Sequence, residues 1–500
     1  MAESGDWVTP RLYGQPWFEK PVLYYWAAAV GFRLHLPAEW AARLPSAFAA
    51  LAAAVAIGWL AWKHYAQGVS SLESPALLAP LLFSTSVAAI GFSRSASPDM
   101  LFSALLVLAM ASAASVLRRA GALREVVQET GGADLGPLAW FGLFLGLGVL
   151  AKGPAALALA GGAMGLWAIF TTQWRAALRL AHPMALSVLL VVALPWHVVC
   201  AVRNPTFLRV YIFQHNFERY LTPIFQHRQP LWFFGRIVLF ALLPWTVLLW
   251  SAAQQGLRLW KEKSWRDSPG FFGACWAAFP VLFFSFSQSK LPGYVLPSIP
   301  PLALLSAISA IRSRKQGRYK TPLLFAGIGC TWLLLGIAAW RAVAHLPTDA
   351  IGNLRPLGTI APIAGLLIAI VLVATGSCPR PQLGVAVSML SVALAVETLS
   401  LAVLPKLEPL FSARSHAAFM HNDQHPDRIF TYDLTRSWDY GLAFYFRREL
   451  PEWSPADPEA ALVLTTSDGR AEIEKLGRFR GGLDEAYLGI LYVPVQREPR

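Results

Sequence analysis

The sequence predicts a helical protein that spans a membrane about twelve times and ends in a small α/β domain. The 500-residue chain is 55% hydrophobic and only 14% charged, which is more apolar surface than a soluble fold of this length can bury. Apolar stretches long enough to cross a bilayer occupy residues 46–404, whereas residues 405–500 are charged and lack long apolar runs. Lysine and arginine gather in every second gap between the stretches, as is typical of cytoplasmic loops.

The membrane domain is predicted at residues 46–404, after an extracytoplasmic amphipathic segment at 1–45. Three of its stretches are short for the roughly 20 residues that a bilayer requires. We expect those at 76–92, 137–151 and 154–170 to be broken or to line a cavity. The predicted spans are 46–65, 76–92, 99–117, 137–151, 154–170, 183–202, 232–252, 270–287, 293–311, 322–341, 357–375 and 382–404.

The distribution of basic residues predicts the orientation. The positive-inside rule places the strongly basic gaps in the cytoplasm, so the other gaps and both ends of the chain lie outside. The net charge of +13 therefore comes from residues beside apolar spans, which argues against a nucleic-acid partner. The basic gaps contain Lys63, Arg118, Arg119, Arg124, Arg175, Arg179, Arg258, Lys261, Lys263, Arg266, Arg312, Arg314, Lys315, Arg318, Lys320 and Arg380.

The charged tail, residues 405–500, is predicted to form a soluble α/β domain outside the cytoplasm. It has no phosphate-binding glycine loop, and a cap over a membrane cavity is at least as reasonable a role for it as catalysis. The expected elements alternate as β-α-β-α-β, with strands at 428–434, 461–466 and 487–495 and helices at 437–450 and 469–476.

Two outer segments hold polar side chains where the membrane surface is expected. Glu19 and Lys20 stand beside aromatic residues, so they fit either an anionic headgroup site or an interfacial helix whose lysine snorkels to water. Asp99 opens a predicted span within Ser97-Pro98-Asp99. It could cap the helix, but a carboxylate at membrane depth also needs a partner, and Arg94 is the expected one. We favour a functional role for Asp99.

Two further outer segments carry cations. The segment at 203–231 contains His227 and Arg228, whose side chains suit contact with a metal ion or a phosphate. In the connection at 287–292, Lys290 precedes a proline and a glycine. That arrangement fits a phosphate clamp and equally fits an ordinary tight connection. The sequence has no Walker lysine, which argues against an ATP-driven pump.

These polar segments resemble bacterial aminoarabinose transferases and related protein-mannosyltransferase-like enzymes. The resemblance runs from residue 4 to about residue 300 and is weaker in the tail. It is specific to the superfamily and much less specific to the acceptor. It is carried by SGDWVTPRLYGQPWFEKPVLYYW (4–26), SRSASPDM (93–100), LAKGP (150–154), PWHVV (195–199), RNP (203–205) and FFSFSQSKLPGYVLP (283–297).

The resemblance implies an inverting GT-C-like glycosyltransferase of the bacterial inner membrane, with its soluble domain in the periplasm. Such an enzyme passes a sugar from a polyprenyl phosphate, typically undecaprenyl phosphate, to an acceptor on the periplasmic face. The nearest relatives use lipid A, and another lipid or envelope glycan stays open as the acceptor here. The implied partners are therefore the lipid-linked donor, the acceptor and membrane lipids.

The resemblance also implies roles for individual residues. Asp99 corresponds to an essential acidic residue that acts in catalysis. Glu19 and His227 resemble a pair that holds a divalent metal ion, which is the one cofactor implied. Cationic and hydroxyl side chains would stabilise the departing lipid phosphate. The implied substrate-binding residues are Lys20, Arg228, Lys290 and Tyr294.

Members of the family begin with a further transmembrane helix and an outer loop whose acidic Asp-Glu motif precedes the stretch that starts here at Ser4. This sequence starts at Met1, so we expect a truncated or misassigned start. Two other functions stay open. One is a transporter or flippase for a lipid-linked sugar, against which the lack of an inverted repeat argues. The other is a catalytically inactive, lipid-binding homologue.

Overall fold

The computed structural model is mostly helical and divides by its internal contacts into two units. The first unit comprises residues 1–333 and 365–390, and the second comprises residues 334–364 and 391–500. The structure describes residues 1–65, 74–119, 135–222, 229–266, 268–315, 321–345, 354–378, 381–422, 429–454, 461–475, 479–481, 485–487 and 490–497.

Every predicted span corresponds to a helix or to a bent pair of helices, which confirms the all-α membrane domain. Within the described residues, eight helices are long and apolar enough to cross a bilayer, and two bent pairs pass the same test together. Two shorter apolar helices, Ala155–Thr171 and Pro269–Ser285, account for the remaining predictions. The eight are Ala38–His64, Pro98–Arg118, Leu135–Lys152, Pro183–Arg203, Pro292–Arg312, Pro322–Ala344, Arg355–Ser377 and Gln382–Glu408.

The N-terminal half of the described chain is mostly helical. Its helices are α1 (Leu23–Arg33), α2 (Ala38–Tyr65), α3 (Pro75–Ser84), α4 (Val87–Ser93), α5 (Pro98–Arg119), α6 (Leu135–Lys152), α7 (Ala155–Thr171), α8 (Trp174–Leu178), α9 (Pro183–Arg203), a π-helix (Arg209–Glu218) and α10 (Arg219–Leu221). A short hairpin, β1 (Arg11–Leu12) and β2 (Gln15–Pro16), precedes them.

The helices of the C-terminal half begin with a pair that bends at residues 242–244, just before the short 3₁₀ turn Trp245–Val247. They are α11 (Phe233–Ala241), α12 (Leu248–Lys261), α13 (Pro269–Ser285), a 3₁₀ helix (Pro292–Ser298), α14 (Ile299–Lys315), α15 (Thr321–Ala344), α16 (Arg355–Ser377), α17 (Pro381–Thr398), a second π-helix (Leu399–Val403), α18 (Leu404–Phe411), α19 (Ala413–Asn422), α20 (Arg436–Phe446) and α21 (Ser467–Lys475).

Two spans are broken, and their breaks touch. α3 and α4 meet at 61°, and α11 meets Trp245–Lys261 at 115°. The Val87 N–H donates to the Leu243 carbonyl at 3.0 Å, and the Trp245 indole N–H donates to Thr85 Oγ1 at 3.0 Å. Each break therefore satisfies polar groups of the other, which lipid could not do. The break between α3 and α4 was expected from the short apolar stretch, whereas the second was not.

Helices α6 and α9 approach closely because α6 carries two glycines on the side that faces α9. A Cβ added at Gly142 would lie 2.2 Å from the Ala185 carbonyl oxygen, and one at Gly146 would lie 3.0 Å from that of Leu189. Small residues at such a contact let two backbones pack in lipid. The stretch at 137–151, expected to be short, forms the unbroken 18-residue helix α6, which ends at Lys152.

The N-terminal segment is docked against α9 through hydrogen bonds. The N–H groups of Val8 and Thr9 donate to Asp6 Oδ1 at 3.0 and 3.1 Å, which closes a tight turn. The Trp196 indole N–H donates to the Val8 carbonyl at 2.9 Å, and Asn204 Nδ2 donates to Thr9 Oγ1 at 3.0 Å. Three of the stretches that carry the family resemblance therefore bind one another.

The tail forms an α/β sheet with more strands than the sequence predicted. Strand β3 (Ile429–Thr431) pairs in parallel with β4 (Ala461–Thr465), and β4 pairs antiparallel with β7 (Ile490–Arg497). Strands β5 (Phe479–Gly481) and β6 (Glu485–Tyr487) also pair antiparallel with β7. The strand predicted at 487–495 corresponds mainly to β7, while its first residue, Tyr487, ends β6, and the sequence did not predict the short strands β5 and β6. The domain boundary near residue 405 stays a prediction.

Candidate functional site

A cavity of about 440 Å³ opens in the first unit, where the ends of α6, α7 and α13 meet the π-helix. Its apolar lining residues are Pro154, Ala155, Ala158, Leu221, Phe283 and Phe284. Its polar lining residues are Lys20, Lys152, His215, Asn216, Tyr220, Ser287 and Tyr294. The cavity therefore presents cations and hydrogen-bonding groups beside a hydrocarbon surface.

The structure brings three of the predicted site residues to this cavity. Lys20 and Tyr294 belong to its wall. Asp99 is bound to a third wall residue, because Lys152 Nζ donates to Asp99 Oδ1. The expected partner of Asp99 was Arg94, so that expectation is corrected to Lys152. The two elements that position this pair, α5 and α6, are neighbours in the fold.

Both oxygens of Asp99 accept hydrogen bonds. Lys152 donates to Oδ1, and the Ser97 hydroxyl donates to Oδ2 at 2.5 Å. The exposed fractions of the Lys152 and Asp99 side chains are only 11% and 22%. A pair with so little access to water is weakly screened, so each charge depends on the other.

The turn at Gly293 closes over this charge pair. A Cβ added at Gly293 would lie 3.2 Å from Asp99 Cγ. The ammonium of Lys152 lies 5.3 Å from the Tyr294 ring centroid and 5.4 Å from that of Phe102, in the range of a cation–π contact. Gly293 therefore allows the approach that sets Tyr294 beside Lys152.

Lys20 and its neighbour Glu19 form a second charge pair, with 3.9 Å between Nζ and Oε1. Glu19 is one of the two residues expected to hold a metal ion, and the Lys20 ammonium already lies against its carboxylate. Among the residues that the structure describes, no three or more His, Cys, Asp or Glu side chains lie close enough together to hold a metal ion. The described residues therefore do not by themselves provide a metal site, and the metal stays a prediction.

Lys290 is not among the residues that line this cavity. Lys290 is only 8% exposed, and its Nζ donates to the Gln229 carbonyl at 2.9 Å. Burial lowers the pKa of Lys290. The predicted contact of Lys290 with a lipid phosphate has no support from this geometry and stays a prediction. His227 and Arg228 lie outside the described residues, so their predicted roles are untested as well.

Five polar wall residues were not chosen from the sequence as site residues: Lys152, His215, Asn216, Tyr220 and Ser287. Lys152 had a readable signal, since it is a single cation at the end of an apolar helix within Leu-Ala-Lys-Gly-Pro. His215, Asn216 and Tyr220 lie on or next to the π-helix, an irregular form that often occurs at functional sites. Sequence periodicity does not reveal a π-helix, because its turn differs from an α-helix by a single residue.

Comparisons with known proteins find similarity to two groups of sugar transferases. The family model of dolichyl-phosphate-mannose-protein mannosyltransferases matches residues 1–211. Undecaprenyl phosphate-alpha-4-amino-4-deoxy-L-arabinose arabinosyl transferases are similar as well. The enzyme of Erwinia tasmaniensis is 30% identical over 353 residues, covering 69% of this chain and 60% of its own length. The enzyme of Edwardsiella ictaluri is 31% identical over 373 residues, which cover 72% of this chain and 63% of that enzyme. The chain thus spans about three fifths of these relatives.

The fold is similar to that of a solved relative. The crystal structure of ArnT from Cupriavidus metallidurans bound to undecaprenyl phosphate superposes with a TM-score of 0.77 at 22% identity. The alignment covers 100% of this chain and 93% of that one. A structure of the same protein in the apo state gives a TM-score of 0.76.

Proposed function

We propose that this chain, a member of the aminoarabinose-transferase and protein-mannosyltransferase-like group of GT-C membrane proteins, transfers a sugar from a polyprenyl phosphate to an envelope acceptor. The acceptor that the sequence resemblance implies is lipid A, with another lipid or envelope glycan as the alternative. The proposed location is the bacterial inner membrane, with the cavity and the soluble tail on the periplasmic side, as the basic gaps predict.

The observation that carries the proposal is the mixed lining of the cavity, which combines cations and hydrogen-bonding groups with apolar residues. Its Lys20 and Lys152 ammonium groups and its Tyr294 hydroxyl suit a phosphate, while the aromatic and aliphatic part suits a hydrocarbon chain. A lipid-linked sugar phosphate combines these two surfaces. ArnT from Cupriavidus metallidurans binds undecaprenyl phosphate in its crystal structure, and that chemistry supports the same ligand class here.

The wall residues supply charge stabilisation for the leaving group. Breaking the bond between the sugar and the lipid phosphate leaves negative charge on the phosphate oxygens, and fixed cations lower the cost of that charge. Lys20 and Tyr294 would contact this phosphate. Lys152 would add a second cation, held in place by Asp99. In this arrangement Asp99 positions Lys152, because both of its oxygens already accept hydrogen bonds.

Binding of undecaprenyl phosphate to the purified protein in lipid nanodiscs tests the ligand class. We expect Lys20→Met to weaken binding about tenfold or more and Tyr294→Phe to weaken it less, since a charge-assisted contact outweighs a neutral one. Lys261→Met is the matched control, because this exposed lysine ends α12 away from the cavity. Equal affinity in the wild type, Lys20→Met and Lys261→Met would contradict the proposed site.

Mass spectrometry of envelope lipids from cells with and without the gene tests the transfer itself. The expected result is a sugar-sized mass increase on lipid A or another envelope lipid that depends on the gene and on Lys20. Binding of undecaprenyl phosphate with no modified product would indicate an inactive lipid-binding homologue. Movement of a lipid-linked sugar across vesicles with no product would indicate a flippase.

A further inference from the structure

The residue that follows Lys152, Gly153, packs against the π-helix mainly through the side chain of Tyr211. Gly153 has a φ of +82°, and its N–H donates to the Val149 carbonyl at 2.8 Å, which ends α6. A Cβ added at Gly153 would lie 2.4 Å from the hydroxyl oxygen of Tyr211 and 3.2 Å from its Cζ. The Tyr211 hydroxyl therefore rests on the bare Cα of Gly153.

Tyr211 is buried and closely packed, so its side chain has little room to move away from a larger residue at position 153. It is 1% exposed, and its ring stacks on Phe207 with 5.1 Å between centroids and 13° between planes. Its hydroxyl lies 3.5 Å from His197 Nε2. Its carbonyl accepts a hydrogen bond from Asn216 Nδ2 at 2.6 Å. The Tyr211 side chain thus has neighbours at its ring and its hydroxyl, and its backbone carbonyl is hydrogen-bonded.

The contact joins two walls of the cavity. On one side, Lys152 directly precedes Gly153 in the chain. The position of the Gly153 turn therefore sets the point from which the Lys152 side chain extends. On the other side, Asn216 and the adjacent His215 belong to the π-helix and line the cavity. Tyr211 makes the closest approach of the π-helix to Gly153, and Asn216 Oδ1 would lie 3.5 Å from a Cβ added there.

We propose that Gly153 and Tyr211 form a positioning contact that sets the distance between Lys152 and the π-helix wall, and thereby the fit of the lipid phosphate. The inference rests on the proposed function of the cavity. Neither residue lines the cavity, so both act through Lys152 and Asn216. The contact requires glycine for two reasons: the positive φ disfavours other residues, and a Cβ would meet the Tyr211 hydroxyl.

A compensating pair of substitutions tests this contact. Gly153→Ala should weaken undecaprenyl phosphate binding about tenfold, since a displacement of about 1 Å in a fitted site costs that much or more. Adding Tyr211→Phe removes the hydroxyl oxygen that a Cβ would approach most closely. The double variant should therefore bind within about threefold of Tyr211→Phe alone. Gly161→Ala is the control, because a Cβ at Gly161 meets nothing within 4 Å.

Affinity of the folded protein separates positioning from mere stability. A contact that only stabilises the fold would lower the melting temperature of Gly153→Ala without changing the affinity at 25 °C. Wild-type affinity in Gly153→Ala, or a double variant that binds no better than Gly153→Ala, would overturn the inference.

Hydrogen exchange measured by mass spectrometry gives a readout that needs no ligand. Gly153→Ala should speed exchange in the peptide that covers Arg209–Glu218, and the added Tyr211→Phe should slow it again. If the wild type fails to bind undecaprenyl phosphate, the proposed function fails, while the exchange data still decide whether the contact positions the π-helix. Unchanged exchange in Gly153→Ala would reject the contact independently of the ligand.

Discussion

At the scale of single residues, Lys152 and Asp99 show why a charge near lipid must be judged with its partner. Asp99 was selected from the sequence because a carboxylate at membrane depth needs compensation. The compensating cation lies in another helix, at the end of α6, and not in the neighbouring turn that holds Arg94. The sequence therefore identified the need for a partner but not the partner, which only the packing of α5 against α6 determines.

Removing either member of this pair should destabilise the protein more than removing both. Asp99→Asn leaves the Lys152 ammonium, and Lys152→Met leaves the Asp99 carboxylate, in a poorly hydrated site. Each single change is expected to cost about 3 kcal/mol, the lower end for a broken buried pair, because the pair keeps some exposure. Thermal unfolding in detergent checks this: the double variant should melt above both single variants. A double variant that melts below them would contradict the coupling.

Asp6 provides a prediction about pH outside the membrane spans. Burial alone would raise its pKa, but the N–H groups of Thr9 and Val8, together with Arg11 and Arg203, hold the pKa of Asp6 below its ordinary value of 3.8. The carboxylate therefore contributes stability that is fully present above pH 3.8 and is lost as the pH falls through the lower folded value.

The Asp6→Asn variant should reveal this contribution. Its melting temperature should lie below that of the wild type by a constant amount near neutral pH. The difference should shrink as the pH falls below about 4, because Asp6 of the wild type then binds a proton, first in the unfolded state and at lower pH in the folded state. Melting curves between pH 6 and pH 3 provide the measurement. A difference that stays constant down to pH 3 would show that the pKa of Asp6 is the same in the folded and unfolded states, which contradicts the prediction.

At the scale of elements, hydrophobic length predicted the spans well because crossing a bilayer imposes a minimum length on each of them. The helices at Pro98–Arg118 and Pro183–Arg203 fall within a residue or two of their predicted bounds. The bend before Trp245 was missed, since two apolar helices that meet at an angle read as one apolar stretch. The π-helix at Arg209–Glu218 was missed for a similar reason, and with it the cavity residues His215 and Asn216.

The close packing of α6 on α9 should depend on Gly142. Gly142→Ala places a Cβ where the Ala185 carbonyl oxygen lies 2.2 Å away, and such overpacking costs about 2 kcal/mol. Gly161→Ala in α7 is the matched control. It has open space and should stabilise the helix by about 0.5–1 kcal/mol, because alanine has less conformational entropy to lose. Thermal unfolding should rank Gly161→Ala at or above the wild type and Gly142→Ala below it.

At the scale of the whole molecule, the proposed orientation requires that one compartment contain the N-terminal segment and the soluble tail. Single cysteines in a cysteine-free background test it with a membrane-impermeant maleimide. Gln15→Cys and Asp468→Cys should react in intact spheroplasts, and Arg175→Cys and Lys261→Cys only after the membrane is opened. All four positions are exposed. Reaction of Lys261→Cys in intact spheroplasts would reverse the assigned sides.

The mutual hydrogen bonds between the two broken spans have a consequence for exchanging parts between relatives. Val87 and Thr85 belong to one break, and Leu243 and Trp245 belong to the other. A chimera whose crossover falls between them would inherit one half of this junction from each parent. Such a hybrid should assemble poorly unless both parents carry matching kinks, so viable recombination points are expected before the first break or after the second.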